Sequence, residues 1–385
     1  MLKAAWLSRP TSSSNASANE FAGARHISPG SSRSSIAVDR TEGTIIDALR
    51  YAASPMPVTV HVELGEIDTL GPPWHELLSA DPTASVFQTP EYAHVWWEEF
   101  GALRALALLE IRDDDGDLIG IAPLSMEPDG SVHFVGDPSI SDYLAPVSRP
   151  EHRDAIASIV VEFAAAMDGF TRLSLSGLPA DSGWPEALAA AAKAAGLVPL
   201  EEPEDICPVA ATHGSFEAYL AHLTGKHRHE IRRKARRLSE AAEITLRSST
   251  ATSLDADLDA FFALHRSSDG PKGKFMHDDM ESYFRRLAWT MQRAGRLRLT
   301  SLDMDGTPVA MLYGFSDGRR WELYNSSYDH AKRDLSPGMV LVAETIKLAA
   351  EEGCETFDFL RGAEDYKYRF GAVDRPVVRL TTDPA

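Results

Sequence analysis

The chain has 385 residues, 44% apolar and 25% charged, a balance that excludes fibrous and fully disordered classes and leaves room for two packed units. With 57 acidic against 38 basic side chains the net charge is -19, which argues against nucleic acid as a partner, so contact with any polyanion has to come from a local patch. Cys207 and Cys354 are too few for a disulfide framework or a thiolate metal cage, and no apolar run approaches the ~20 residues of a membrane helix, so a reducing cytoplasm is the expected setting.

In chain order, residues 1–55 are rich in Ser, Ala, Gly and Arg without hydrophobic period, and read as a disordered tail. A transit peptide is an alternative for this segment, and a third is a natural start at Met56, since strand pattern begins directly after it with Val58, Val60, Val62 and Leu64. An internal repeat follows. Apolar runs at 105–111, 118–126 and 132–135 are joined by Asp115-Gly116 and Asp129-Gly130. Runs at 297–302, 309–315 and 321–324 are joined by Asp305-Gly306 and Asp317-Gly318. Each Asp-Gly pair between apolar runs is a hairpin signal, because Gly accepts the positive φ of a tight turn. In this alignment Ser141-Asp142-Tyr143 stands against Ser327-Tyr328-Asp329, a helix over 152–167 against one over 338–352, and a strand over 173–176 against one over 357–360. The helix supplies the crossover that makes the last strand of each copy parallel to its meander.

Between the copies the periodicity predicts a helix over 185–195, a strand near 206–210, one long helix over 215–241, and helices over 254–266 and 279–294. The expected domains are 56–203 and 204–385. The fold class is α/β with mixed sheets.

In the second copy a polar loop over 325–335 leads into Ser336-Pro337-Gly338-Met339, where a helix begins. A helix start presents free N–H groups and a positive dipole end, and Lys332 and Arg333 add charge beside it. In the first copy the matching start is Arg149-Pro150-Glu151, whose carboxylate stands where an anion would sit. Only the second copy is therefore expected to bind a pyrophosphate. The helix over 226–237 carries Lys226, Arg228, Arg232, Arg233, Lys234, Arg236 and Arg237 against the single acid Glu230, and suits a phosphate-bearing acceptor, a nucleotide end or an anionic polysaccharide, the alternative being a merely structural helix. His227 and His229 point to different sides of that helix, so no metal pair forms, and no His-Glu-x-x-His or Gly-x-Ser-x-Gly occurs. Trp96 and Trp97 read as packing for the first domain.

The helix start after the fourth strand resembles the GNAT superfamily, in which acyl-CoA lays its pyrophosphate there. More narrowly, Phe87-Gln88-Thr89-Pro90 with Trp96-Trp97, the basic helix, Ser336-Pro337-Gly338, the run from Phe357 through Asp358 and Arg361 to Gly362, and Tyr366-Lys367 resemble a tandem-GNAT family. That family includes cellulose-biosynthesis-associated acetyltransferases and is distantly similar to Fem-type aminoacyl transferases. The likeness covers roughly residues 58–375; Ser-Pro-Gly stands in place of the usual Gln/Arg-x-x-Gly-x-Gly/Ala loop.

The resemblance implies two tandem GNAT-like domains and transfer from acetyl-CoA or another acyl-CoA to an amine or hydroxyl of a small-molecule or glycan acceptor, without a metal. Ser336, Gly338, Met339, Lys332 and Arg333 would hold the cofactor. Asp358 or Asp365 would be the base or acceptor-orienting group and Tyr366 the proton donor. Arg361 and Lys367, with Lys226, Arg233 and Arg237, would contact an anionic acceptor. The bland alternative for 358–367 is a solvated turn with a structural Asp-Arg pair. Other readings are a non-catalytic protein that binds anionic glycan, and a Fem-like transferase drawing on aminoacyl-tRNA. The last lacks the long coiled-coil arm of that group.

Overall fold

The computed structural model describes residues 58–61, 70–268 and 271–384; the expected tail, with Val62 and Leu64, lies outside them. The first half runs through β1 (Val58–His61), α1 (Gly71–Ala80), α2 (Pro90–Phe100), β2 (Ala105–Arg112), β3 (Leu118–Met126), β4 (Ser131–Phe134), β5 (Val147–Ser148), α3 (Arg153–Ala166), β6 (Arg172–Pro179) and α4 (Trp184–Ala194). Next come β7 (Leu197–Ala211), α5 (Phe216–His222), α6 (Gly225–Ala241), β8 (Ile244–Ser248), α7 (Leu254–Arg266), α8 (Pro271–Phe275) and α9 (Asp278–Arg293). The second meander is β9 (Leu297–Met304), β10 (Thr307–Ser316) and β11 (Arg320–Tyr328), followed by α10 (Pro337–Glu351), β12 (Thr356–Asp358), α11 (Asp365–Tyr368) and β13 (Val373–Pro384).

The strands form one mixed sheet in the order β1-β2-β3-β4-β6-β13-β7-β12-β11-β10-β9-β8, with β5 on β3. Both halves have the repeat's topology: a meander, a helix, and a strand parallel to the meander's end, β6 on β4 and β12 on β11. The β9–β10 turn is tight because Asp305 and Gly306 both take positive φ, 49° and 78°, as a two-residue hairpin requires. The expected boundary at 203/204 falls inside β7, which pairs with β13 along its length, while β13 also pairs with β6 of the first half. Chain ends and copies are thus woven into one sheet. The apolar core follows the same course: the first half's core continues onto the α7 and α9 side of β9–β11, and a second core lies under α5, α6 and α10. Among the described residues no helix is long and apolar enough to cross a membrane.

Three expectations need correction. The helix expected over 215–241 is two, because Leu223 is extended and the Thr224 side chain accepts from the His227 N–H to cap α6. Arg149-Pro150-Glu151 does not open α3. Pro150–His152 is a 3-10 turn, and the helix starts at Arg153, whose guanidinium is drawn to the buried Asp81 and the Ser182 carbonyl.

The third concerns Ser141-Asp142-Tyr143. Val147 pairs with Ile121 as Ser327 pairs with Met311, and Ser148 pairs with Gly120 as Tyr328 pairs with Ala310. The counterparts of Ser327 and Tyr328 are therefore Val147 and Ser148. Residues 136–146 are an excursion between β4 and β5. The second copy has at that place only a one-residue bulge, where the β10–β11 register shifts between Tyr313 and Gly314.

Candidate functional site

The bulge leaves Tyr324 and Asn325 on the same face of β11, opposite Leu323. It also marks where β11 leaves β12. The two strands pair only from Arg320 with Thr356 to Glu322 with Asp358; beyond that, β12 ends, Phe359 donates its N–H to the Pro208 carbonyl, and β11 runs on to Tyr328. On the β12 side, residues 323–328 have no strand partner among the described residues. A wedge between diverging strands results, with open backbone on one wall.

At its end the chain turns through the 330–335 3-10 segment, which exposes Lys332 and Arg333, into α10. Ser336 takes a left-handed conformation, φ 56°, and makes no side-chain cap; Pro337 has no N–H, and Met339 donates back to the Ser336 carbonyl. A Cβ on Gly338 would have the Tyr328 side chain as its nearest neighbour, at an ordinary contact distance of 3.4 Å, so a side chain can be taken up at this helix start. The first copy has no counterpart of the cationic 330–335 turn, since only Arg149 separates Ser148 from the turn at Pro150.

The other side of the wedge faces the first half, and there the excursion fills it. The Tyr324 hydroxyl donates to the Ile140 carbonyl at 2.7 Å, and the Tyr143 hydroxyl donates to Asp358 at 2.9 Å. Asp358 is fully buried, accepts from the Leu360 N–H at 2.8 Å, and is raised above the usual carboxylate range by burial, against the pull of Arg320 and Arg375. Its strand neighbour Glu322 is pushed up to about 8 by burial. One Glu322 oxygen accepts from the Val86 N–H at 3.2 Å; the other has no hydrogen bond and lies 3.8 Å from Arg320. Glu322 was missed in the sequence, although an acid inside the apolar run Trp321-Glu322-Leu323 is itself a signal.

The other expected residues are placed as follows. Arg361 crosses to the excursion, donating to the Pro138 and Ser141 carbonyls and lying 3.4 Å from Asp142 and 3.6 Å from Asp205. Lys367 is buried and donates to the carbonyls of Leu360, Arg361 and Gly362 at 3.0, 2.9 and 2.7 Å, beside Glu364. Both cations are thus spent on holding the turn after β12, where Leu360 keeps a left-handed φ of 53°. Asp365 is exposed on the short α11, and Tyr366 packs its ring edge-on to Phe359, on the α10 side of the sheet opposite Asp358. Asp358, Asp365 and Tyr366 are not brought together. On α6, Lys226, Arg233 and Arg237 are exposed. Replacing Lys367 by Met is expected to cost about 2–3 kcal/mol, because three carbonyls lose a charged donor. Urea unfolding checks this, and a loss within ~0.5 kcal/mol would mean that the ammonium does not hold the turn.

No group of three or more His, Cys, Asp or Glu among the described residues could hold a metal ion. A groove of about 490 Å³ runs between Gly214–Glu217 and the far end of α10, away from the wedge.

Residues 225–368 match the model of the family described as Acetyltransferase (GNAT) domain. The match spans the basic helix, the wedge and Lys367. No curated protein matches the chain. Among solved structures, FemX is similar with a TM-score of 0.56 at 13% identity, over 83% of this chain and 96% of that one. The C-terminal domain of a putative lysylphosphatidylglycerol synthetase from Agrobacterium fabrum gives 0.53 at 12%, over 84% and 92%. L-PGS from Bacillus licheniformis gives 0.52 at 12%, over 80% and 90%. Residues 225–368 are thus GNAT-like, set in a chain with the overall fold of FemX and these synthetases.

Proposed function

We propose that the protein is an acyltransferase that takes its acyl group from an acyl-CoA bound in the wedge between β11 and β12 and passes it to an amine or hydroxyl. The observation that carries this is the unpaired β11 edge over 323–328 running into a cation-flanked helix start. An extended thioester arm needs backbone partners, and a pyrophosphate needs an N–H donor and positive charge; this wedge offers an open strand edge and then the Gly338 N–H with Lys332 and Arg333 beside it. Gly338 and Met339 would face the phosphates, with Ser336 shaping the turn and Lys332 and Arg333 adding charge. Acyl transfer also needs donors for the tetrahedral oxyanion; backbone N–H groups on the β11 edge would supply them, the one at Ser326 by exchanging its 2.8 Å bond to the Asn325 side chain for the oxyanion. Glu322 and Asp358 are the carboxyls on the side facing the first half, and Glu322 is tuned to change charge near neutral pH. Their sealing by Val86 and Tyr143 gives them an orienting role rather than direct contact with a thioester. The narrower likeness to cellulose-associated acetyltransferases belongs to this proposal too.

A second reading, aminoacyl transfer, is favoured by the similarity to FemX across most of the chain. Thermal shift with acetyl-CoA, a longer acyl-CoA, CoA alone and an aminoacyl-tRNA separates the two. A ligand at 100 times its dissociation constant stabilises by ~2.7 kcal/mol. Stabilisation by the acyl-CoAs is expected, and a shift with aminoacyl-tRNA alone would replace the first reading by the second.

A further inference from the structure

Helix α6 buries Ile231 and Leu238 and turns its opposite pole outward. At 100° per residue, Lys226, Arg233 and Arg237 fall within about 40° of one another, roughly 130° round the helix from Ile231 and Leu238, with Glu230 and Glu240 flanking the stripe. All three are exposed, and among the described residues none has a carboxylate partner, whereas their neighbours are neutralised. Arg232 pairs with Glu217 at 3.0 Å, Lys234 with Glu230 at 3.0 Å, and Arg236 with Glu240 at 3.7 Å. A line of three uncompensated cations thus stands on a chain whose net charge is -19. The helix packs on α10 and reaches the 330–335 turn, so α6 adjoins the proposed cofactor site while the cation line faces outward from it.

We propose that this face binds a linear, sparsely charged polyanion, an acidic polysaccharide, and holds it as acyl acceptor beside the start of α10. The spacing selects the class. Along the axis the cations are about 10.5 and 6 Å apart, at 1.5 Å per residue. Duplex DNA carries a charge every ~1.7 Å, far denser than this line can match. Single-stranded nucleic acid is held by stacking on aromatic rings, and α6 has no Phe, Tyr or Trp. An anionic bilayer is a plane, which would bring the acidic remainder of the protein against like charge. A single chain of uronic acids meets only the line.

The acceptor role rests on the acyl-transfer reading; the binding does not. The test is fluorescence anisotropy of the full chain with labelled polygalacturonate, neutral dextran, a single-stranded oligonucleotide and phosphatidylglycerol vesicles. It compares wild type, the triple variant K226A/R233A/R237A, and a control of equal charge change on the first half, R149A/R172A/K193A. Polygalacturonate should bind and dextran should not. The α6 variant should weaken binding about tenfold, as expected for three exposed charge pairs, and the control by less than about twofold. Absence of polygalacturonate binding, equal losses in both variants, or tighter binding of oligonucleotide or vesicles would overturn the proposal. Acetyl-CoA thermal shift on the same samples keeps the readings apart: polysaccharide binding without a CoA shift leaves the face standing and removes the acyl transfer.

Discussion

Replacing Arg361 by Ala is expected to destabilise the protein by about 3–5 kcal/mol, the usual loss when one partner of a buried ionic contact is removed. The side chain is 15% exposed and sits against Asp142, at 1%, while its fork serves two carbonyls of the excursion. Without it, those carbonyls and buried carboxylate lose their cation, and the join between the halves loosens where the wedge is sealed. Arg361→Lys should recover only part of the loss, because an ammonium cannot serve the carbonyls and both carboxylates in one plane. Arg232→Ala, which breaks an exposed pair with Glu217, should cost less than about 1 kcal/mol. Denaturant unfolding measures all three. A similar small loss for Arg361 and Arg232 would show that the excursion is not anchored through this guanidinium.

The second large effect is in pH. Burial holds Glu322 at about 8 in the folded chain, against 4.5 for a free glutamate carboxyl. Between these values the folded protein keeps the proton and the unfolded chain has released it, so stability falls as pH rises across the window. At 1.36 kcal/mol per unit, the contribution lost between pH 4.5 and 8 is on the order of 4 kcal/mol. Asp358, raised in the same direction, adds to the slope. Glu322→Gln keeps the shape and removes the charge, so it should match wild type near pH 5 and exceed its stability at pH 8. Urea melts at both pH values check this. Equal slopes for wild type and variant would place the proton elsewhere.

Much of the second half was legible because its signals are local. Asp305-Gly306 and Asp317-Gly318 state their turns, and the apolar periods of 254–266 and 279–294 state their helices. The excursion over 136–146 was not, because a strand that pauses and resumes carries no turn signature of its own, and the likeness of Ser-Asp-Tyr to Ser-Tyr-Asp pulled the alignment off register. Lys367 read as a substrate contact because nothing in the sequence shows that three carbonyls converge on it; that depends on Leu360 turning left-handed after β12. Long-range pairing was equally hidden: β13 joins β6 and β7 across nearly 200 residues of sequence, and only packing decides it. Arg361, Lys367 and Asp358 build the turn after β12 and its seal against the first half, and the open β11 edge with the α10 start is the part proposed to take a ligand.

The acyl donor is proposed to lie in the second copy's wedge with its phosphates at the start of α10. Acetyl-CoA titration of wild type and Gly338→Glu by calorimetry tests it most directly. The new side chain has room beside Tyr328, and an acid in the first turn suits the helix dipole, so folding should be unharmed while the anion site is filled. Saturable binding by wild type, weakened at least about tenfold in Gly338→Glu, is the predicted result; no binding by wild type, or equal binding by both, would contradict it.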